Sequence, residues 1–153
     1  MIHPNTRRVA REQAFQLLYG LNFIPANDVQ ALAQAFALVP NSESPNAKPN
    51  YEVPVGFAWE LIQGVWEHRE AIDTAIGKLS RHWRIQRIGC IELTILRLAL
   101  YEMLHRIDVP AKVTINESIK LAKRFGSGNS RDFVTGILDA AARAIDHDES
   151  GLS

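Results

Sequence analysis

The sequence predicts an all-α protein of about seven helices, and three observations predict it. Apolar residues recur at three- and four-residue intervals in segment after segment, the spacing that lines one face of a helix. Apolar and polar residues never alternate for more than a few positions, so the pattern of a half-buried strand is missing. Capping and breaking residues fall between the periodic segments, where a division into separate helices needs them. At 153 residues the chain fits one domain, 1–153, which buries roughly 70% of the surface its unfolded form exposes and needs no covalent staple.

Asn5 or Thr6 caps a first helix running to about residue 21, with Ala10, Ala14, Leu17, Leu18 and Leu21 as its buried stripe. At about 100° per residue, Arg8, Arg11, Phe15 and Tyr19 fall along one edge of that stripe, which is expected to be partly exposed. Pro25 breaks the pattern. Asn27 or Asp28 restarts it, and Val29, Leu32, Ala33 and Phe36 form a short second helix. Residues 39–50, VPNSESPNAKPN, have three prolines and little to bury, and read as a flexible surface loop. Helix returns after Pro54: Phe57, Leu61, Ile62 and Val65, then Ile72, Ile76 and Leu79, carry a stripe with a break near residues 67–69, widened by Trp59 and Trp66.

The most apolar helix runs from residue 88 to about 105, with Ile88, Ile91, Ile95, Leu98 and Ala99 on one side and Leu93, Leu96, Leu100 and Met103 on others. Apolar residues around most of a helix imply central burial, and Cys90 within it reads as a small core residue. Asp108-Val109-Pro110 ends the segment. Thr114 and Glu117 then stand at capping-box spacing and start the next helix, in which Ile115, Ile119, Ala122 and Phe125 recur. Gly126 offers a left-handed residue to end it. Asn129 or Ser130 caps a last helix whose face is Phe133, Val134, Ile137, Leu138 and Ala141, so the two closely linked helices should pack antiparallel.

Formal net charge is zero, but it is segregated: residues 80–131 carry ten basic and four acidic side chains, whereas residues 132–153 carry one and five. Such a chain can present a basic face to a nucleic acid without being a general polyanion binder; ordinary solvated helix surface is the alternative. One cysteine excludes a disulfide framework and a Cys-rich zinc site. The start, MIHPNTRRVAREQ, has no apolar core of a signal sequence, and no run of about 18 apolar residues occurs, so a cytoplasmic protein is expected.

Phosphate-binding glycine loops and nucleophile elbows are absent, so no enzymatic activity and no cofactor are expected. Glu102 and His105 have the Glu-x-x-His spacing of di-metal helix bundles, but it occurs once, and a surface histidine at a helix end with no metal is the expectation. The arrangement with chemistry in it is Arg7, Arg8 and Arg11 on the first helix, with Tyr19 two turns beyond. Guanidinium groups pair bidentately with phosphates, and an aromatic ring can stack on an unpaired base. Solubilising surface and a half-buried ring are the plainer account.

INESIKLAKRFG followed by SRDFVTGILD, with ILRLALYEM upstream, resembles the C-terminal signature of the NusB family; fixed residues at fixed spacing match across 83–138, about a third of the chain. RRVARE followed by Gln16-Leu17-Leu18-Tyr19 is similar to that family's N-terminal RNA-binding helix. Thr135 stands where the family pattern F-V-N-G has asparagine. The resemblance implies an N-terminal helical subdomain packed on a C-terminal helical bundle. It implies transcription antitermination without catalysis: binding of single-stranded boxA RNA in nascent ribosomal transcripts, as a heterodimer with the ribosomal protein NusE, on elongating RNA polymerase with other Nus factors. It assigns RNA contacts to Arg7, Arg8, Arg11 and Tyr19, with Lys123 and Arg131 beside the turn at 126–129, and a NusE contact to Glu92. For Glu92, facing water or pairing with Arg97 or Arg87 is the alternative, and for Lys123 and Arg131 a favourable interaction with the helix dipole. Alternatives for the whole are the related module of RNA cytosine methyltransferases, for which no cofactor-binding domain follows Ser153, and a helical protein–protein adaptor without an RNA role. The oligomeric state of the protein alone stays open.

Overall fold

The computed structural model describes residues 4–39, 56–80 and 84–147, with the first helix's side chains from Arg7 onward. Seven α-helices and one 3-10 turn are found among them, and no strand. The chain divides into two compact units, Met1–Trp66 and Glu67–Ser153.

In the first unit, α1 (Pro4–Gly20) buries Ala10, Ala14, Leu17 and Leu18 of the expected stripe, while Leu21 falls in the turn after the helix and is half-buried. Helix α2 (Val29–Ala37) is started by Asp28, whose Oδ1 accepts from the Ala31 backbone N–H at 2.7 Å and satisfies one of the donors a helix start leaves open. Leu32 is its fully buried residue. Helix α3 (Phe57–Glu67) buries Ala58, Trp59, Leu61, Ile62 and Val65. Phe36 of α2 meets Trp59 with ring centroids 5.8 Å apart, and the Trp66 indole N–H donates to the Ala26 carbonyl, tying the α1–α2 connection to α3. Except for its first position, the loop read at 39–50 lies outside the described residues.

The second unit is a bundle around α5 (Cys90–His105), which packs against α4 (Arg69–Leu79), α6 (Ala111–Phe125) and α7 (Ser130–Asp146). Leu93, Ile95, Leu96, Leu98, Ala99 and Leu100 are all buried, around most of the helix circumference, as its unbroken apolar pattern predicts. Each buried leucine or isoleucine here contributes about 1.5–3 kcal/mol. Only from Leu93 onward is the helix covered. Cys90, in its first turn, is exposed, so the core reading of this cysteine is corrected. Asp73 of α4 and Arg97 of α5 form a bidentate pair at 2.7 and 2.9 Å, which corrects the pairing of Arg97 with Glu92.

The start of α6 is also corrected. The helix begins at Ala111 with Pro110 as cap residue, one turn ahead of the Thr114–Glu117 box. Proline suits a helix start, since its missing N–H would be unsatisfied there anyway. Thr114 is therefore inside the helix and 1% exposed, its hydroxyl without a hydrogen-bond partner, while the Ser118 hydroxyl donates to its carbonyl. Glu117 reaches forward to Lys120. At the other end, Gly126 has φ −91 and ψ −175, extended and not left-handed. What requires glycine is proximity: a Cβ at 126 would lie 2.5–2.7 Å from Ser130 Oγ, Ser130 Cβ and the Ala122 carbonyl oxygen. This tight turn reverses the chain, and α6 and α7 pack along each other with Val134, Ile137, Leu138 and Ala141 buried.

Candidate functional site

Each unit carries one surface of interest. In the first, α1 presents its basic end. Arg8 is exposed, Arg7 is half-buried and Arg11 is 3% exposed. Two of the three meet Phe57 at the start of α3: the Arg7 guanidinium carbon is 4.7 Å and that of Arg11 5.2 Å from its ring centroid. Guanidinium on an aromatic face is favourable by about 0.5–2 kcal/mol and fixes the planar group in one orientation. The edge expected to be exposed is thus divided. Arg8 faces solvent, Arg11 is inside, and Phe15 is buried at 3%, with only Tyr19 half-buried beyond it.

Tyr19 is held between rings. Phe15 stacks on it at 5.9 Å with 16° between the planes, and Phe23 forms a T-shaped pair with it at 5.2 Å and 71°. Phe57 is legible in the sequence only as part of the stripe of a later helix, and Phe23, four residues after Tyr19, lies beyond the periodic segment that places α1.

In the second unit, the beginning of α5 and the α6–α7 turn enclose an open groove of about 380 Å³, lined by Arg87, Ile88, Glu92, Asn129, Ser130 and Phe133 among others. Glu92 is its central acid. The Ser130 hydroxyl donates to Glu92 Oε1 in a short bond and accepts from the Ser127 backbone N–H at 3.0 Å. Ser130 is the first residue of α7 and Asn129 makes no side-chain cap, so the serine joins the turn to α5 through Glu92 rather than capping its own helix. Glu92 lies in the first turn of α5, where the helix dipole favours a carboxylate. Gly89 lies next to it, and a Cβ there would displace the carboxylate from its present position. Phe133, read as core, is half-buried and lines the groove.

Lys123 and Arg131 are exposed on either side of the turn, Arg131 with a 3.5 Å ion pair to exposed Asp132. Thr135, in place of the expected asparagine, turns its hydroxyl to the Arg131 carbonyl one turn back at 2.7 Å. Glu102 and His105 do not converge on a metal: Glu102 is buried, His105 is exposed, and no cluster of three possible ligands occurs among the described residues. His105 instead stacks on His68 at 4.3 Å and on Tyr101 at 5.2 Å. Partial burial, and then the charge of His68, lower its pKa from the ordinary 6.5. No helix among the described residues is long and apolar enough to cross a membrane.

These features define an all-α protein of two helical units, with a basic and aromatic helix edge in one and an acid-centred groove in the other. The same architecture is found in solved structures. A T. maritima NusB crystal form superposes with a TM-score of 0.75 at 34% identity, covering 94% of this chain and 93% of that one. A complex of antitermination factors NusB and NusE with double-stranded RNA gives 0.74 at 26% identity, covering 93% and 99%. The transcription antitermination protein NusB of Nitratidesulfovibrio vulgaris is 54% identical over 141 residues, 92% of this chain and 90% of that protein. That of Geobacter sulfurreducens is 42% identical over 139 residues, 91% and 95%. The family model described as NusB family matches residues 8–143, and the chain belongs to the NusB family.

Proposed function

We propose that the protein is a transcription antitermination factor that binds boxA RNA of nascent ribosomal transcripts together with NusE and stays with elongating RNA polymerase and other Nus factors in the cytoplasm. The observation that carries this reading is the edge of α1, where exposed Arg8 and Phe57-stacked Arg7 lead toward the half-buried ring of Tyr19 in a NusB-family chain. Guanidinium groups pair with phosphate oxygens, and a tyrosine ring can accept an unpaired base. Arg11 supports the same edge from beneath, through Phe57. Lys123 and Arg131, exposed beside the α6–α7 turn, add phosphate contacts. Glu92 and its groove receive NusE; this is supported by a carboxylate already oriented by Ser130 and by the solved NusB–NusE complex of the same fold. No bond is made or broken in this role.

Titration of end-labelled boxA RNA with and without NusE tests it. The protein should bind the single strand, more tightly with NusE, and less tightly as salt rises. Replacing Arg7, Arg8 and Arg11 by alanine should weaken binding and flatten the log–log salt slope by about 0.7–0.9 for each phosphate left without its cation. Salt-independent NusE binding with no affinity for RNA would replace this reading with a protein–protein adaptor.

A further inference from the structure

The ring of Phe23 is 63% exposed, although it sits in a hydrogen-bonded turn. Where α1 ends, the backbone N–H groups of Leu21, Asn22, Phe23 and Ile24 donate to the carbonyls of Leu17, Tyr19, Gly20 and Gly20 at 3.0–3.1 Å. The Asn22 side-chain amide adds a bond to the Tyr19 carbonyl at 3.0 Å and a longer one to that of Leu18. Phe23 is thus fixed by its backbone and left open at its side chain. Its contact with Tyr19 is T-shaped, at 5.2 Å and 71°. In such a pair the edge of one ring meets the face of the other, so whichever ring supplies the edge, Tyr19 leaves at least one face of Phe23 uncovered. Phe15, Tyr19 and Phe23 succeed one another along the side of α1 that begins with Arg8 and Arg11.

Basic groups followed by an open, immobile aromatic face are what a single nucleic-acid strand needs: charge for the phosphates and a platform for a base. We propose that Phe23 stacks on an unpaired nucleobase of a bound single-stranded RNA, so that the strand path along α1 continues past Tyr19 to the turn that follows the helix. This rests on the RNA-binding reading above and adds to it a residue and a direction. Because every base has a π-face, the contact is sequence-tolerant. Ile24, 79% exposed, extends the same surface with an apolar contact at its rim, and this makes a protein partner the competing occupant.

Fluorescence anisotropy of labelled single-stranded boxA RNA decides between them, with Phe23→Ala, Phe23→Leu and Phe23→Trp compared with wild type and Tyr19→Ala. Stacking on one base disappears with the ring, so the alanine and leucine variants should both bind roughly five- to 150-fold more weakly. Their salt slope should equal that of wild type, since every phosphate keeps its cation, and their thermal midpoints should be unchanged. Phe23→Trp should keep affinity, and its additional indole emission should be quenched by RNA. The same RNA annealed to its complement should not distinguish the variants. Full affinity in Phe23→Leu overturns stacking in favour of a generic apolar contact, and weakened NusE binding with normal RNA binding overturns it in favour of a protein surface. If Tyr19→Ala loses RNA affinity while both Phe23 variants keep it, the Phe23 assignment falls and the RNA reading stands. If wild type does not bind the single strand, both fall.

Discussion

Replacing Ser130 by alanine removes the side chain that joins the α6–α7 turn to the start of α5. Two bonds go together, the one donated to Glu92 and the one accepted from the Ser127 N–H. A neutral hydrogen bond contributes about 0.5–1.5 kcal/mol and one to a charged group about 1.5–3. Glu92 is only half-buried, so water replaces part of the second contribution, while Ser130 itself is 2% exposed and leaves its space unfilled. The expected loss is about 1–2.5 kcal/mol, a fall in thermal midpoint of roughly 2–10 °C for a chain of this length. Thermal and urea unfolding of Ser130→Ala, Glu92→Ala and the double variant form a cycle. Its coupling energy should be about 1 kcal/mol or more in the stabilising direction. NusE affinity should fall in Ser130→Ala even though the serine carries no charge, because the carboxylate it orients becomes mobile. A coupling within the error of about 0.3–0.5 kcal/mol, or wild-type stability of Ser130→Ala, would refute the view that this side chain organises the groove.

Arg8→Ala should lower the RNA salt slope by about 0.7–0.9 with the fold retained, whereas Arg11→Ala, which removes a buried guanidinium from Phe57, should destabilise by about 1–2 kcal/mol in urea unfolding. Gly126→Ala should cost about 1–3 kcal/mol, read by the same unfolding, because its Cβ meets the immovable Ala122 carbonyl. His105 has a folded-state pKa below its unfolded 6.5, so the unfolded chain binds more protons; its contribution to stability is complete above pH 6.5 and is lost as pH falls toward the folded value. Thermal midpoints should therefore decline with a component in that window, and His68→Asn should reduce that component and raise the His105 pKa followed by proton NMR.

Periodicity makes most of the fold legible. The break between α3 and α4 falls at His68, inside the 67–69 interval where the apolar stripe changes phase, and Asp28 caps α2 as its position before Val29 predicts. Sequence and structure part where local chemistry offers two solutions. Thr114 and Glu117 satisfy the spacing of a capping box, but Pro110 starts the helix earlier, and one extra turn places the threonine in the core. Cys90 shares the composition of α5 but precedes the part that its neighbours cover. The arginines of α1 are legible as a group, but their separate environments are not, because Phe57 lies more than forty residues away and no periodicity reports a ring contributed by another helix.

That ring gives three neighbouring arginines different tasks. Arg7 and Arg11, one turn apart, are like charges whose mutual repulsion disfavours the helix slightly. The negative faces of Phe57 offset it and hold both guanidinium planes. Arg11, 3% exposed, is thereby a packing element, its guanidinium set over the Phe57 ring and the apolar stem of an arginine removed from water. Arg7 is intermediate: half-buried, with its guanidinium over the Phe57 ring, it has less rotamer freedom to lose on pairing than a mobile side chain. Arg8 is exposed, and on the proposed reading it supplies the longer-ranged attraction. On the proposed reading, a basic helix built in this way needs few arginines, and a chain of zero net charge can offer a defined site to a polyanion.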